Sequence, residues 1–178
     1  QRGQVPPLLR AQRQARQIQH VQHIGVGHLV AQRESDNVKV AQRIAALQAV
    51  QDAGLRCALF TNPSFPQGAI ECRMGWGDLA DAPFELVTHM GNTTRCKPDA
   101  TYYLEQLQVM GLEPHEVLMV GNDPKRDFPS PDCGIQTAFV GQGKPSRATW
   151  RGTMEDFARD FNAVVEAFYE HQVADELS

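Results

Sequence analysis

Short apolar runs alternate with segments of helical periodicity from about residue 36 to residue 170. The apolar runs predict four buried strands, over residues 56–60, 84–87, 117–120 and 135–140. Between and around these runs, apolar residues at helical spacing predict helices that begin near residue 36, near residue 66, after residue 99 and after residue 153. Strands that alternate with helices at this spacing predict βαβ units and a parallel sheet.

The predicted helices carry recognisable end signals. Asp36 or Asn37 can cap the first helix, and Gly54 ends it. Asp99 caps the third helix, which closes at Gly111. The run from Thr153 to Asp156 resembles a capping box that opens the last helix. We expect that helix to place one apolar stripe in the core, formed by Phe157, Phe161, Val164, Val165 and Phe168.

Residues 1–35 differ from the rest in composition. They hold no acidic residue before Glu34, and they are rich in arginine and glutamine. A basic, acid-poor start can be a transit peptide, but such peptides favour serine rather than glutamine. We therefore expect a loosely ordered or docking extension, with a β-branched run over residues 21–30 that could form a strand. The core domain is expected to cover residues 36–172, followed by a short tail over residues 173–178.

Polar residues follow three of the apolar segments. Thr61 and Asn62 follow the first strand, Lys97 lies in the loop after the second, and Asn122, Asp123 and Asp127 follow the third. Because right-handed crossovers place the carboxyl ends of parallel strands at one edge of the sheet, these side chains should meet in one crevice. A hydroxyl and an ammonium suit a phosphoryl group, and carboxylates suit Mg²⁺. Each motif alone also fits a turn, a helix cap or a solvated lysine.

Composition narrows the class of protein. The 178 residues are 42% hydrophobic and 21% charged, which suits a globular core, and no apolar run is long enough for a membrane span. The formal net charge of −4 argues against a nucleic-acid partner. Four scattered cysteines without a CxxC pair favour reduced thiols in a cytoplasmic protein.

The order of these motifs resembles the haloacid dehalogenase superfamily of hydrolases. Thr61 matches the family's strand-terminal Thr or Ser, and Lys97 with Pro98 matches its lysine motif. Asp123 and Asp127 match its acidic pair, with Asn122 where many members have Asp. The resemblance implies a Rossmann-like three-layer α/β/α sandwich with a mostly parallel sheet. It also implies a Mg²⁺-dependent phosphohydrolase that acts on a small phosphate ester through an aspartyl-phosphate.

The sequence departs from that family at two places. The family's nucleophile is the first Asp of an Asp-x-Asp motif, and these 178 residues contain no Asp-x-Asp. There is also no room for the usual cap insertion before Thr61. Two prolines in the run from Phe128 to Pro131 should shorten or break the helix that usually follows the acidic motif.

Two functions therefore stay open. The first is a phosphatase whose nucleophile lies upstream of these residues. The second is a non-catalytic domain of the same fold that binds a phosphorylated ligand or a protein partner. Homodimerisation through an apolar helix face or an uncovered sheet edge is a further expectation.

Overall fold

The chain alternates helices and strands as the apolar pattern predicts. The computed structural model describes residues 29–143, 145 and 147–176. No helix in this part of the chain combines the length and the apolar character that a membrane crossing requires. The helices are α1 (Leu29–Asp52), α2 (Gln67–Trp76), α3 (Ala100–Met110), α4 (Met154–Arg159) and α5 (Phe161–Glu176). The strands are β1 (Ala58–Leu59), β2 (Leu86–Val87), β3 (Leu118–Gly121), β4 (Gln136–Val140) and β5 (Trp150–Gly152).

All strand pairs are parallel, which confirms the predicted sheet type. Strand β1 pairs with β2, and β3, β4 and β5 form a second sheet in that order. In the larger sheet Val120 lies opposite Ala138, and Val140 lies opposite Gly152. The described strands thus form two sheets rather than the single predicted one, and parallel pairing aligns the carboxyl ends of the strands only within each sheet. Thr61 follows β1 of the smaller sheet, and Asn122 and Asp123 follow β3 of the larger one.

Helices cover both faces of the larger sheet. Met119 packs beneath α3 in a cluster with the buried residues Tyr102, Tyr103 and Leu107. The neighbouring side chains of β3, Leu118 and Val120, pack in a second cluster formed by α1, α4, α5 and β4, whose buried members are Ala46, Ala138, Val140, Phe157, Phe161 and Val164. Successive strand residues point to opposite faces, so these two clusters lie on opposite sides of the sheet. The fold is therefore α/β with helices on both faces.

Helix α3 also contacts the smaller sheet. Phe60, directly after β1, packs in the same cluster as Met119. Its ring lies 6.0 Å from the ring of Tyr102 and 6.3 Å from that of Tyr103. The two tyrosine rings are themselves 5.0 Å apart in an edge-to-face arrangement, which is a favourable geometry for aromatic pairs. The α3 residues thus form a shared core beneath the ends of β1 and β3.

The caps predicted for the third and last helices are present, whereas Asp36 and Asn37 lie inside α1 rather than at its start. The carboxylate of Asp99 accepts a hydrogen bond from the backbone N–H of Thr101, and Gly111 takes the left-handed conformation at φ 66°. Thr153 and Asp156 form the predicted capping box at the start of α4. These local signals were readable because each depends on residues within one helical turn.

Several boundaries differ from the predictions. Helix α1 begins at Leu29 rather than near residue 36, in a segment with good helix formers such as Ala31 and Gln32. Residues 21–28 of the predicted strand lie outside the described residues, and residues 29 and 30 are helical rather than extended. The last predicted helix is interrupted at Asp160, which separates α4 from α5.

Strand β5 was not predicted. Its three residues include an arginine and a glycine, so they carry no local strand pattern. Pairing with the fully buried strand β4 creates this strand instead. The acidic motif is followed by no helix, as predicted from the prolines, because residues 124–128 form turns and a bend.

Candidate active site

Thr61 lies two residues beyond the end of β1. Its backbone N–H donates a hydrogen bond of 2.7 Å to the side-chain oxygen of Thr88. Its own hydroxyl donates a hydrogen bond of 2.7 Å to the backbone carbonyl of Thr88. Thr61 is half-buried and the following Asn62 is exposed. The Thr61 hydroxyl is therefore at the edge of the sheet, as predicted, and it donates its only proton to the backbone carbonyl of Thr88.

Thr88 and Tyr102 form a buried hydroxyl pair next to Thr61. The Tyr102 hydroxyl donates a 2.6 Å hydrogen bond to the Thr61 carbonyl and lies 2.9 Å from the Thr88 hydroxyl. Both residues are fully buried. The Thr88 hydroxyl also lies 3.2 Å from the Thr61 carbonyl, so both hydroxyls are within reach of the same acceptor. Burial raises the pKa of Tyr102, so its hydroxyl stays protonated at neutral pH.

Lys97 lies two residues before the cap of α3. Its ammonium is 3.0 Å from Oδ1 of Asp127, and the two side chains are only 6% and 15% exposed. This burial excludes the alternative interpretation of Lys97 as a solvated lysine beside a helix cap. A buried ammonium requires a partner, and Asp127 supplies it.

Asp127 also holds the loop that carries Asn122 and Asp123. Its second oxygen, Oδ2, accepts the backbone N–H of Asn122 at 3.0 Å and that of Asp123 at 2.9 Å. The close approach requires a glycine at position 121, because a Cβ atom there would lie 2.3 Å from Cβ of Asp127. Both oxygens of Asp127 are thus engaged, one by Lys97 and the other by the loop.

Asp123 presents the more accessible carboxylate of the pair. Its side chain is 46% exposed, and Oδ2 lies 3.7 Å from Nε of Arg126. Its Oδ1 accepts the backbone N–H of Lys125 at 3.0 Å, which orients the carboxylate within the turn. Asn122 beside it is exposed.

This donor set fits a magnesium ion with few protein ligands. Among the described residues no group of three or more His, Cys, Asp or Glu side chains is placed to hold a metal ion. Mg²⁺ commonly binds one or two carboxylates and takes water and substrate oxygens for the rest of its shell. Asp123 can supply such a carboxylate, with the amide oxygen of Asn122 next to it. These three bonds use three of the roughly four acceptor positions of the Asp127 carboxylate, so a ligand role would fall to the remaining lone pair of Oδ1, beside the Lys97 ammonium.

Tyr103 ties α3 to the Asp123 loop. Its hydroxyl donates a 2.8 Å hydrogen bond to the backbone carbonyl of Arg126, and burial raises its pKa. The adjacent Tyr102 makes the corresponding bond to Thr61. Lys97, immediately before the helix, binds Asp127. One helix and its preceding loop therefore contact all of the segments that carry the predicted site residues.

Sequence reasoning missed Thr88, Tyr102 and Tyr103. Thr88 directly follows β2 as a polar residue at a strand end, which is the same signal that identified Thr61. Nothing local in the sequence indicates what the two tyrosine hydroxyls bind, because the carbonyl groups that accept from them are 41 and 23 positions away. The one feature of the sequence that could have pointed to Tyr102 and Tyr103 is that they lie a few residues after Lys97.

An open cavity lies beside the acidic loop. It has a volume of about 530 Å³, and its polar lining includes Asn122, Asp123 and Lys125. Phe128 and Phe139 contribute apolar surface to the lining. The cavity therefore offers space for a small molecule next to the accessible carboxylate.

Comparison with family models decides the classification. A model described as haloacid dehalogenase-like hydrolase matches residues 4–131, more than half of the chain. The chain belongs to the haloacid dehalogenase-like hydrolase family. A comparison with curated proteins found no match.

Solved structures of haloacid dehalogenase-like proteins share the fold. A HAD phosphatase from Thermococcus onnurineus superposes with a TM-score of 0.56 at 21% identity, over 66% of this chain and 55% of that one. A putative β-phosphoglucomutase from Thermotoga maritima gives 0.56 at 21% identity, over 67% and 57%. The β-phosphoglucomutase of Clostridium difficile gives 0.60 at 14% identity, over 74% and 57%. The matched region thus spans a little over half of each of these three structures.

Proposed function

We propose that this chain carries the phosphate-binding and metal-binding loops of a Mg²⁺-dependent phosphohydrolase that acts on a small phosphate ester. The observation that carries the proposal is the buried pair of Lys97 and Asp127, because Asp127 also holds the Asp123 loop. A cation and an accessible carboxylate are thereby linked through one side chain. Membership of a hydrolase family supports the same reaction class.

The residues of the chain have distinct roles in this proposal. Lys97 lies at the head of α3 and neutralises negative charge on a phosphoryl oxygen. Thr61 donates a hydrogen bond to another phosphoryl oxygen. Because a hydroxyl has only one proton, the Thr61 hydroxyl must release the Thr88 carbonyl before it can donate to the phosphoryl oxygen. Asp127 fixes the position of Lys97 relative to the Asp123 loop, because it binds both.

Asp123, with the amide oxygen of Asn122, is the proposed holder of the metal. Mg²⁺ bound there would offset the charge of the phosphoryl group and help to orient it. The engaged oxygens of Asp127 favour a positioning role for that residue over direct coordination. The neighbouring cavity of about 530 Å³ provides space for the organic part of a small phosphorylated molecule.

A second candidate function is binding of a phosphorylated ligand without turnover. It is favoured by the absence of Asp-x-Asp from the 178 residues, since this motif supplies the nucleophile in the family that the chain resembles. Both candidates use Thr61, Lys97 and Asp123 in the same way for binding. They differ only in whether a phosphate ester is hydrolysed.

Hydrolysis of an aryl phosphate in Mg²⁺ and in EDTA separates the two candidates. The Asp123→Asn variant tests the proposed carboxylate, and Asp81→Asn, which changes an exposed aspartate, is its matched control. Turnover that needs Mg²⁺ and is lost only in Asp123→Asn supports the hydrolase. Phosphate binding that needs Mg²⁺ without turnover supports the second candidate. Neither binding nor turnover would contradict both.

A further inference from the structure

The end of β1 is held in an unusual way. The last backbone bond of the β1–β2 ladder runs from the N–H of Thr88 to the carbonyl of Leu59 at 3.0 Å. Beyond it, both backbone polar groups of Thr61 bind side-chain hydroxyls, the N–H that of Thr88 and the carbonyl that of Tyr102. The position of Thr61 therefore depends on two hydroxyl groups rather than on continued strand pairing.

We propose that Thr88 and Tyr102 are positioning residues that fix Thr61 for contact with a phosphoryl group. This inference rests on the proposed function, because it concerns how the same site is held. The two hydroxyls bind each other at 2.9 Å and are shielded from solvent. A fully buried, fully bonded pair leaves few alternative arrangements for the residue that it holds.

The pair also links Thr61 to Lys97. Tyr102 is the third residue of α3 and lies five residues after Lys97. The cap at Asp99 fixes the start of the helix between them. Thr61 is thus bound by the helix that begins directly after the Lys97 loop, although the two residues are far apart in sequence. A phosphoryl group that contacts both needs this alignment, because small displacements of binding groups reduce affinity and rate sharply.

Tyr103 provides a matched control on the same helix. It is as buried as Tyr102, but its hydroxyl binds the carbonyl of Arg126 instead of that of Thr61. Tyr103→Phe therefore removes the same chemical group without altering the contacts of Thr61. Thr88→Ser keeps the hydroxyl that Thr88→Val removes, so this pair of variants separates hydrogen bonding from packing.

Calorimetric titration with inorganic phosphate in the presence of Mg²⁺ tests the proposal. We expect Thr88→Val and Tyr102→Phe to bind phosphate about tenfold more weakly, the effect of about one lost hydrogen bond. Thr88→Ser should bind within about twofold of the wild type. Amide hydrogen exchange at Thr61 should become faster in Thr88→Val and stay unchanged in Tyr103→Phe. If Thr88→Val does not fold, Tyr102→Phe decides.

Two results would overturn the proposal, and they have different consequences. If Thr88→Val and Tyr102→Phe bind phosphate as the wild type does while Thr61→Val does not, the positioning role is wrong and the proposed function stands. If the wild-type protein itself does not bind phosphate, the positioning role and the proposed function both fail.

Discussion

The ammonium of Lys97 lies 3.0 Å from Oδ1 of Asp127, and solvent reaches little of either side chain. The other oxygen of Asp127 accepts two backbone N–H groups from the loop of Asn122 and Asp123. The Asp127 carboxylate thus binds both the Lys97 ammonium, in the loop before α3, and the turn that follows β3. This connection places a proposed phosphate ligand and a proposed metal ligand in fixed relation.

Lys97→Met should destabilise the protein strongly. The substitution leaves the carboxylate of Asp127 largely buried without its cation, and the loss of one partner of a buried pair costs about 3–5 kcal/mol. Urea unfolding measures the change in the free energy of unfolding. The matched control is Arg126→Gln, which removes an exposed partner of Asp123 at 3.7 Å and should cost under about 1 kcal/mol.

The double variant Lys97→Met/Asp127→Asn should recover part of the loss, because it removes the uncompensated charge and keeps an amide oxygen for the loop N–H groups. A Lys97→Met protein no less stable than Arg126→Gln would show that the buried pair does not organise the site.

Gly121→Ala should displace the Asp127 carboxylate by steric contact. The new Cβ would lie 2.3 Å from Cβ and 2.7 Å from Oδ2 of Asp127, so the carboxylate must move. We expect a loss of about 1–3 kcal/mol, as for other overpacked positions, together with weaker Mg²⁺ binding. Thermal unfolding and Mg²⁺ titration measure the two effects.

Gly68→Ala is the control for this substitution. Gly68 lies in α2, and no atom lies within 4 Å of the position that an alanine methyl group would take there. Alanine at this position should not destabilise the protein, and its gain is at most the 0.5–1 kcal/mol or so that alanine brings in the middle of a helix. If Gly121→Ala and Gly68→Ala change the melting temperature equally, Asp127 does not pack tightly against β3.

The parts of the fold that were predicted correctly depend on local chemistry. Asp99, Gly111 and the Thr153 capping box act within one helical turn of the residues they cap, so their roles can be read along the chain. The polar residues at strand ends were found because a parallel sheet brings strand ends together. Predicted strand 117–120 differs from β3 by one residue at each end.

The parts that were missed depend on contacts between distant segments. Strand β5 is defined by its pairing with β4 rather than by its own residues. The roles of Thr88 and Tyr102 arise from hydrogen bonds to Thr61 across 27 and 41 positions. The engaged state of Asp127 could not be derived either, because its partner Lys97 is 30 positions away.

Stability should fall at acidic pH through Asp156. Hydrogen bonds from the backbone N–H and the hydroxyl of Thr153, and then from Arg159, lower the pKa of Asp156 to about 2. A carboxyl whose pKa is lower in the folded state stabilises the fold above its unfolded pKa of about 3.9, and this contribution is lost as pH falls toward 2. Melting temperatures across this range should decrease less steeply in Asp156→Asn. Thr153→Ser keeps the capping hydroxyl and should behave as the wild type does. If the melting temperature of Asp156→Asn falls as steeply as that of the wild type, Asp156 is not the cause of the acid sensitivity.

Stability should also fall at alkaline pH through Tyr102. Burial raises its pKa above the usual value of 10. A raised folded-state pKa gives a contribution that is complete below pH 10 and is lost as pH rises above it. The free energy of unfolding, measured from pH 9 to pH 12, should therefore decline less steeply in Tyr102→Phe. Identical slopes in the two proteins would contradict the burial of this hydroxyl.

The most direct test of the central claim is binding of inorganic phosphate by the wild-type chain, measured by calorimetry with Mg²⁺ and with EDTA. We expect binding with Mg²⁺ that weakens at least about tenfold in EDTA. We expect the same loss in Asp123→Asn and none in the exposed control Asp81→Asn. Phosphate binding that is absent, or that is equal in Mg²⁺ and EDTA and unaffected by Asp123→Asn, would contradict it.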